Sequence, residues 1–331
     1  MGIRKMTHHL DCEITSILND ILNRAYLSPE MMHLIQSSLN AEVKNGEQFK
    51  WAHLTILGCE CVSGVNEVLL PGAVAMELAA LAADIFDDIQ DQDNDNLPWR
   101  QIPTANALNL AICLSMLSYR SLSMLSDNTD NRLYKEVSQM LSHMWITASD
   151  GQFQEVLLDN SEQVILDQYF KLVEKKSGSL TSCACKLGAI LGGASEELVI
   201  QLGSFGNYLG IMGQIRNDLN DFLSLEKKRD FVNHKKTLPY VYLLNVLKGN
   251  SAEQFNKLTQ LQANGLQGFG KEEQDYLKQL AMDEGVTLYC RVMYEMFREK
   301  AMEIIQTMLI SEKHKEKLIK LVEENNLATG I

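Results

Sequence analysis

Apolar positions recur along this chain at intervals of three and four residues rather than two. Leu117 to Leu125, Val137 to Ile146 and Tyr294 to Leu309 all carry that spacing, which predicts helix after helix. No stretch alternates apolar and polar residues as a half-buried strand does, and no Asn-Gly pair lies between two such runs. Asn45-Gly46 and Ala263-Asn264-Gly265 read instead as loops between helices, and Pro98 and Pro103 bracket a break. Composition shifts little from end to end, and no internal repeat or low-complexity segment stands out. The pattern predicts an all-α chain forming one domain over residues 1–331.

One departure from the apolar pattern carries the chemistry. The buried-helix run Met76 to Ala83 leads straight into Asp84, Asp87, Asp88 and Asp91, spaced i, i+3, i+4 and i+7. That spacing puts four carboxylates on one helix face, where like charges destabilise the helix unless a cation is expected. Hard oxygens on a rigid face suit Mg²⁺, which binds one or two carboxylates together with phosphate oxygens and waters. About 130 residues later Gln214, Asn217, Asp218 and Asp221 repeat the spacing, preceded by Gly203, Gly206, Gly210 and Gly213. The glycine stripe would let a neighbouring helix or a ligand come close, at some loss of helix propensity. Two such faces could hold metal ions against a diphosphate and make it a good leaving group. An ordinary solvated acidic face is the alternative reading of each motif alone.

The chain has 331 residues, 46% of them hydrophobic, enough for a sizeable core. A formal net charge of −13 argues against a nucleic-acid surface. Lys313 to Lys320 reads as a basic helix near the C-terminus, either a solvated face or a membrane or partner surface. Met1 to Ile14 is too polar for a signal peptide, and the longest apolar run, Val68 to Phe86, is interrupted by Glu77 and Asp84. These features point to the cytoplasm, with a peripheral place at the inner membrane face as the alternative. Seven cysteines include Cys59-Glu60-Cys61 and Cys183-Ala184-Cys185. Their spacing lacks a usual zinc-site partner pair and falls in helical pattern, so they read as buried free thiols.

The two acidic motifs, their order and their separation resemble the all-α isoprenyl diphosphate synthase superfamily, from about residue 55 to 245. Asp87-Asp88-Ile89-Gln90-Asp91 matches its first aspartate-rich motif, and Gln214 to Asp221 the second, with Asn217 at the first aspartate. Gly151-Gln152-Phe153-Gln154-Glu155 resembles the family's GQxxD with Glu155 for Asp. Lys176-Ser177-Gly178 resembles its K-T-G segment, and Lys235-Lys236-Thr237-Leu238-Pro239 its K-x-T-x-P. The resemblance implies a single-domain isoprenoid synthase bundle with a central cavity between two Asp-bearing helices, a motif-bearing core over about 47–245 and C-terminal helices over 250–326. It implies Mg²⁺ as cofactor, held by Asp87, Asp88, Asp91, Asn217, Asp218 and Asp221. The aspartates among these are the catalytic candidates. Lys176, Lys235, Gln214, Gln152 and Arg100 would bind the diphosphate of an allylic donor. Ala79, Ala82 and Ala83 would line the prenyl channel, since bulk there shortens the pocket. Small residues leave room for a geranyl or farnesyl chain, farnesyl the favoured one, and equally suit plain helix packing. Family members commonly dimerise, so a homodimer is expected.

The departures point to the acceptor. Chain-elongating members carry an early GGKRxRP segment; here Asn45 to His53 holds no arginine. Their histidine seven residues before the first aspartate is Ala80, and their RRG after the motif is missing, with only Arg100 nearby. A second diphosphate would lack its charge-assisted clamp. Asp84 to Asn94, with an extra aspartate one turn ahead and a D-x-D-N tail that includes Asp93, resembles the ComQ-type subgroup. That resemblance implies transfer of the prenyl group to a tryptophan of a ComX-like pheromone precursor peptide in quorum sensing. An isopentenyl-condensing synthase is the first rival. A terpene cyclase fits less well, because Asp221 and Leu225 stand where its NDxxSxxxE motif needs Ser and Glu, with Glu226 one place off. A non-catalytic subunit of a heteromeric synthase would be expected to have lost the first motif, which is intact. A plain helical interaction module leaves the matching lysines unexplained. No protease triad or HExxH supports cleavage of the precursor.

Overall fold

The structure, a computed structural model, describes residues 2–41, 48–63, 68–92, 94–125, 131–161, 163–224, 235–263 and 270–325. The loops expected at Asn45-Gly46 and Asn264-Gly265, together with Asp93, Leu225 and Glu226, lie outside these residues. Among the described residues the elements are helical and no strand occurs. In chain order they are α1 (Gly2–Asn23), α2 (Pro29–Ala41), α3 (Lys50–Glu60), α4 (Leu69–Asp91), a 3-10 turn (Pro98–Arg100), α5 (Thr104–Ser123) and α6 (Asn131–Asp159). Then come α7 (Leu166–Val173), a π turn (Glu174–Gly178), α8 (Ser179–Leu191), α9 (Glu196–Leu223) and α10 (Leu238–Val246). The chain closes with α11 (Gly249–Ala263), α12 (Lys271–Asp283), α13 (Val286–Thr307) and α14 (Glu312–Glu324). Two compact units emerge. One comprises Met1–Trp145, Leu180–Gly206 and Met308–Lys315; the other Ile146–Ser179, Asn207–Thr307 and Glu316–Ile331.

The first unit is built on α4, whose residues from Leu69 to Ala82 are nearly all buried. By length and composition α4 could cross a membrane, yet most of it is covered by protein, which makes it a core helix. Its Glu77 carboxylate accepts the Trp51 and Ala52 N–H groups at 2.9 Å each, so α4 caps the start of α3 with a charge that suits the helix dipole. Close backbone approach explains two glycines. A Cβ on Gly58 of α3 would lie 2.6 Å from the Cys185 carbonyl oxygen of α8, and one on Gly188 of α8 would collide with the Thr55 carbonyl of α3. The expected glycine stripe serves the same purpose in part: a Cβ on Gly206 would meet the Thr181 carbonyl at 2.5 Å.

Both cysteine pairs fall where α3 and α8 pack. All seven cysteines are free thiols, and burial pushes Cys59 up to about 11 and Cys183 to about 12. Such thiols are poor metal ligands and poor nucleophiles. The second unit gathers Phe170, Phe297 and Tyr208 around α13, with ring centroids 5.5 and 6.1 Å apart. Tyr294 of α13 donates to the Asn325 carbonyl at 2.6 Å and so ties down the chain after α14.

Candidate active site

The first acidic motif occupies the last two turns of α4. A helix C-terminus carries a partial negative charge, so aspartates there oppose the dipole as well as each other. The chain stops the helix at Gln92, which adopts a left-handed conformation (φ 53°) and returns its N–H to the Asp88 carbonyl. Asn94 is left-handed too (φ 55°), and the chain turns back on the helix. This return divides the motif. Asp88 is buried; its Oδ1 accepts from Asn94 Nδ2 at 2.6 Å and its Oδ2 from the indole Nε1 of buried Trp99 at 2.8 Å. Asp87 and Asp91, both half-buried, bring carboxylate oxygens within 4.8 Å of one another. Two carboxylates that close, on a dipole end that repels them, are a donor set suited to a hard divalent cation. Asp84 is half-buried one turn earlier. Arg100 pairs with Asp95 at 3.2 Å, while its Nε is buried without a hydrogen bond. Ala79 and Ala82 are fully buried within α4, and Ala83 is half-buried.

In the second unit the π turn organises the site. Its wider winding presents three successive side chains to different partners, as such turns do at functional sites. Lys175 binds Asp150 at 2.7 Å, Lys176 binds Glu155 at 2.5 Å and Ser177 donates to Gln214 Oε1 at 2.7 Å. Two motif glycines make room for this. A Cβ on Gly151 would lie 3.0 Å from the Lys176 nitrogen, and one on Gly178 would collide with the Asn207 side chain. Gln152 lies beside this cluster in sequence, and its Nε2 is buried without a hydrogen bond.

The second acidic motif divides as the first does. Asp218 is buried: Oδ2 accepts from the Tyr169 hydroxyl at 2.6 Å and the Leu238 N–H at 2.7 Å, and Oδ1 from Gln214 Nε2 at 2.8 Å. Burial pushes its carboxyl up to about 6 despite these donors. Asn217 is exposed and Asp221 half-buried on the same helix. Lys235 is half-buried just before α10, and its neighbour Lys236 rests its ammonium 4.5 Å over the Tyr240 ring. Thus in the second unit Ser177, Gln214, Asp218 and the Leu238 N–H after the Lys235 segment form one bonded network, with the Lys176–Glu155 pair beside it in sequence at Ser177.

Sequence reasoning missed Trp99, Tyr169 and Asp159, and gave Asn94 and Ser177 no role beyond their place in a motif. Asp159 was open to discovery, since it follows Glu155 at i+4 on the same helix face. Its Oδ1 accepts the Lys236 N–H at 2.8 Å, and burial pushes it up to about 6.

Residues 34–274 match the family model described as polyprenyl synthetase. The chain belongs to the polyprenyl synthetase family. It is a prenyltransferase, and a prenyl diphosphate is its substrate. It is 25% identical over 304 residues to a protein named tryptophan prenyltransferase ComQ from Bacillus subtilis (strain 168), covering 92% of this chain and 95% of that one. It is 28% identical over 266 residues to a geranylgeranyl diphosphate synthase of Methanosarcina mazei, covering 77% and 78%. Among solved structures it resembles a polyprenyl synthetase from Streptomyces coelicolor A3(2), with a TM-score of 0.78 and 22% identity, covering 96% of this chain and 99% of that one. That likeness establishes the all-α isoprenoid synthase fold.

Proposed function

We propose that this enzyme transfers a farnesyl or geranyl group from its diphosphate to a tryptophan of a ComX-like pheromone precursor peptide. The observation that carries the reading is the pairing of intact donor motifs with a missing second-diphosphate clamp, at Asn45 to His53 and at Ala80. Similarity to ComQ over 92% of the chain supports it. We read residues 1–331 as one isoprenoid synthase domain acting in the cytoplasm as a homodimer. An exposed apolar stripe on α5, Leu108, Ile112 and Met116, supports the dimer; a monomer mass in gel filtration would remove that part.

In this reading Asp87 and Asp91 of the first motif, and Asn217 and Asp221 of the second, would each hold Mg²⁺, which when bound would neutralise the leaving diphosphate. Lys176, Lys235, Gln152, Gln214 and Arg100 bind the diphosphate oxygens and orient the donor. Glu155 holds the Lys176 ammonium in place before the donor arrives. The allylic C–O bond breaks with its electron pair leaving on the diphosphate, and indole C3 of the acceptor bonds to the allylic carbon. The tryptophan's own backbone nitrogen then closes on C2 and releases its proton, giving a tricycle. Ala79, Ala82 and Ala83 set the room for the chain.

The test is mass spectrometry with Mg²⁺ and farnesyl or geranyl diphosphate, offered either the tryptophan-bearing peptide or isopentenyl diphosphate. Prenyl mass on the peptide without chain elongation is the expected result. Elongation alone would replace this reading with a second one, an isopentenyl-condensing synthase, which the 28% identity to a geranylgeranyl diphosphate synthase favours.

A further inference from the structure

The segment that carries Lys235 leaves no ordinary way to fix its backbone. It precedes α10 in extended form, Thr237 provides no side-chain cap, and Pro239 has no N–H to offer. Three successive N–H groups are nevertheless all satisfied. Thr237 N–H turns back to the Lys235 carbonyl at 2.8 Å. On either side, Lys236 N–H goes to Asp159 at 2.8 Å and Leu238 N–H to Asp218 at 2.7 Å. A half-buried carboxylate from α6 and a buried one from α9 therefore grip alternate amides of a three-residue stretch. Lys236 rests its ammonium over the Tyr240 ring.

Asp159 is ionised at a cost that the Lys236 N–H and the Lys236 and Lys176 charges only partly offset. It ends α6, where the helix dipole opposes a negative charge, and Glu155 one turn earlier adds a like charge. Burial opposes it as well. A carboxylate kept against these penalties forms a charge-assisted bond, roughly twice as strong as a neutral one. That strength falls on the amide immediately after Lys235.

We propose that Asp159 is a positioning residue for Lys235: by anchoring the Lys236 N–H, as Asp218 anchors Leu238, it fixes the backbone from which Lys235 reaches the donor's diphosphate. The inference rests on the reading of Lys235 as a diphosphate-binding lysine. It gives Asp159 a role in binding and none in bond breaking.

The test is a double-mutant cycle read by calorimetric binding of inorganic diphosphate in the presence of Mg²⁺, on the full chain. Asp159→Ala is expected to weaken binding about tenfold, the size of one lost charge-assisted contact. Asp159→Asn, which keeps an acceptor for the amide, is expected to stay within about threefold of wild type, a rescue that a general packing role does not require. In a Lys235→Ala background, Asp159→Ala should add nothing. Unchanged binding in Asp159→Ala, or a full additive loss in the double variant, overturns the proposal. Wild-type binding by Lys235→Ala overturns the reading of Lys235 itself, and the positioning role with it. Circular dichroism checks each fold; if Asp159→Ala does not fold, Asp159→Leu, which refills the volume without an acceptor, replaces it in the cycle.

Discussion

Asp87 and Asp88 are adjacent in sequence, yet their replacement by alanine should have opposite consequences. Asp88→Ala removes the acceptor of the Trp99 indole N–H and of the Asn94 amide. Asn94 is exposed and regains water, so its loss costs little. Trp99 is 1% exposed and cannot, so its stranded N–H and the lost charge-assisted bond cost about 2–3 kcal/mol. Against this, removing Asp88 relieves repulsion with Asp84 and Asp91 by about 0.2–0.5 kcal/mol each. The net loss is about 2 kcal/mol, or roughly 4–8 °C in Tm for a unit of this size. Asp87→Ala gains similar relief and leaves both loop bonds in place, so its metal-free Tm should stay within about 2 °C of wild type. Thermal melts in a chelator measure this directly. Repeated with Mg²⁺ and diphosphate at about a hundredfold excess over Kd, wild type should gain about 2.7 kcal/mol of stability. Asp87→Ala should lose most of that gain, and Asp88→Ala should keep most of it. Equal Tm losses in the two variants, or an undiminished ligand response in Asp87→Ala, would refute the division of the motif. A coupling below about 0.5 kcal/mol between Asp88→Asn and Trp99→Phe would do the same.

The second motif should split likewise. Asp218→Ala strands the buried Tyr169 hydroxyl and Leu238 N–H at about 1–3 kcal/mol each, so denaturant melts should show a clear loss, while Asp221→Ala stays within about 0.5 kcal/mol yet fails to transfer the prenyl group. Asp159→Asn should be more stable than wild type at pH 7. The rise of Asp159 from 3.8 to about 6 means that its favourable contribution is complete below about pH 4 and lost as pH rises through about 6. Wild type should therefore regain up to about 3 kcal/mol relative to the variant between pH 7 and pH 4, and a pH-independent difference in denaturation midpoints would contradict the burial argument. Ala83→Phe, at a half-buried position, should shift donor preference in competition assays from farnesyl toward geranyl diphosphate; Ala82→Phe, with no exposure, should destabilise by about 1–3 kcal/mol through overpacking. Unchanged preference in Ala83→Phe would remove Ala83 from the channel.

The helices were legible because a 3.6-residue period survives in a single sequence, and so were the acidic faces, which are that period applied to carboxylates. Which aspartate of each pair turns inward was not. Asp87 and Asp88 stand about 100° apart on α4, and the choice between them is made by Trp99 and Asn94, which arrive through two left-handed residues with no glycine to announce them. Spacing and the motif resemblance mark Asp218 as a ligand candidate but say nothing of its burial, because its partners Tyr169 and Leu238 are 49 and 20 residues away in sequence. The resemblance marks Lys176-Ser177-Gly178 as a segment, but nothing in Glu174 to Gly178 announces a π turn. Its position follows from what it must satisfy at Asp150, Glu155 and Gln214.

α4 has a consequence for the chain as it is being made. Leu69 to Asp91 is long and apolar enough to cross a lipid bilayer before its partners α1, α3, α5 and α8 have closed over it. Glu77 lies near its middle and would resist such uptake by roughly 2.5–3.5 kcal/mol, about the penalty of one acidic residue at the bilayer centre. Asp84, Asp87, Asp88 and Asp91 load further charge onto the trailing end. The carboxylate that caps α3 and the aspartates at the end of α4 would thus also weigh against uptake of the nascent helix by a membrane. Neutralising several of them together should be felt first as misplaced protein, before any question of catalysis arises.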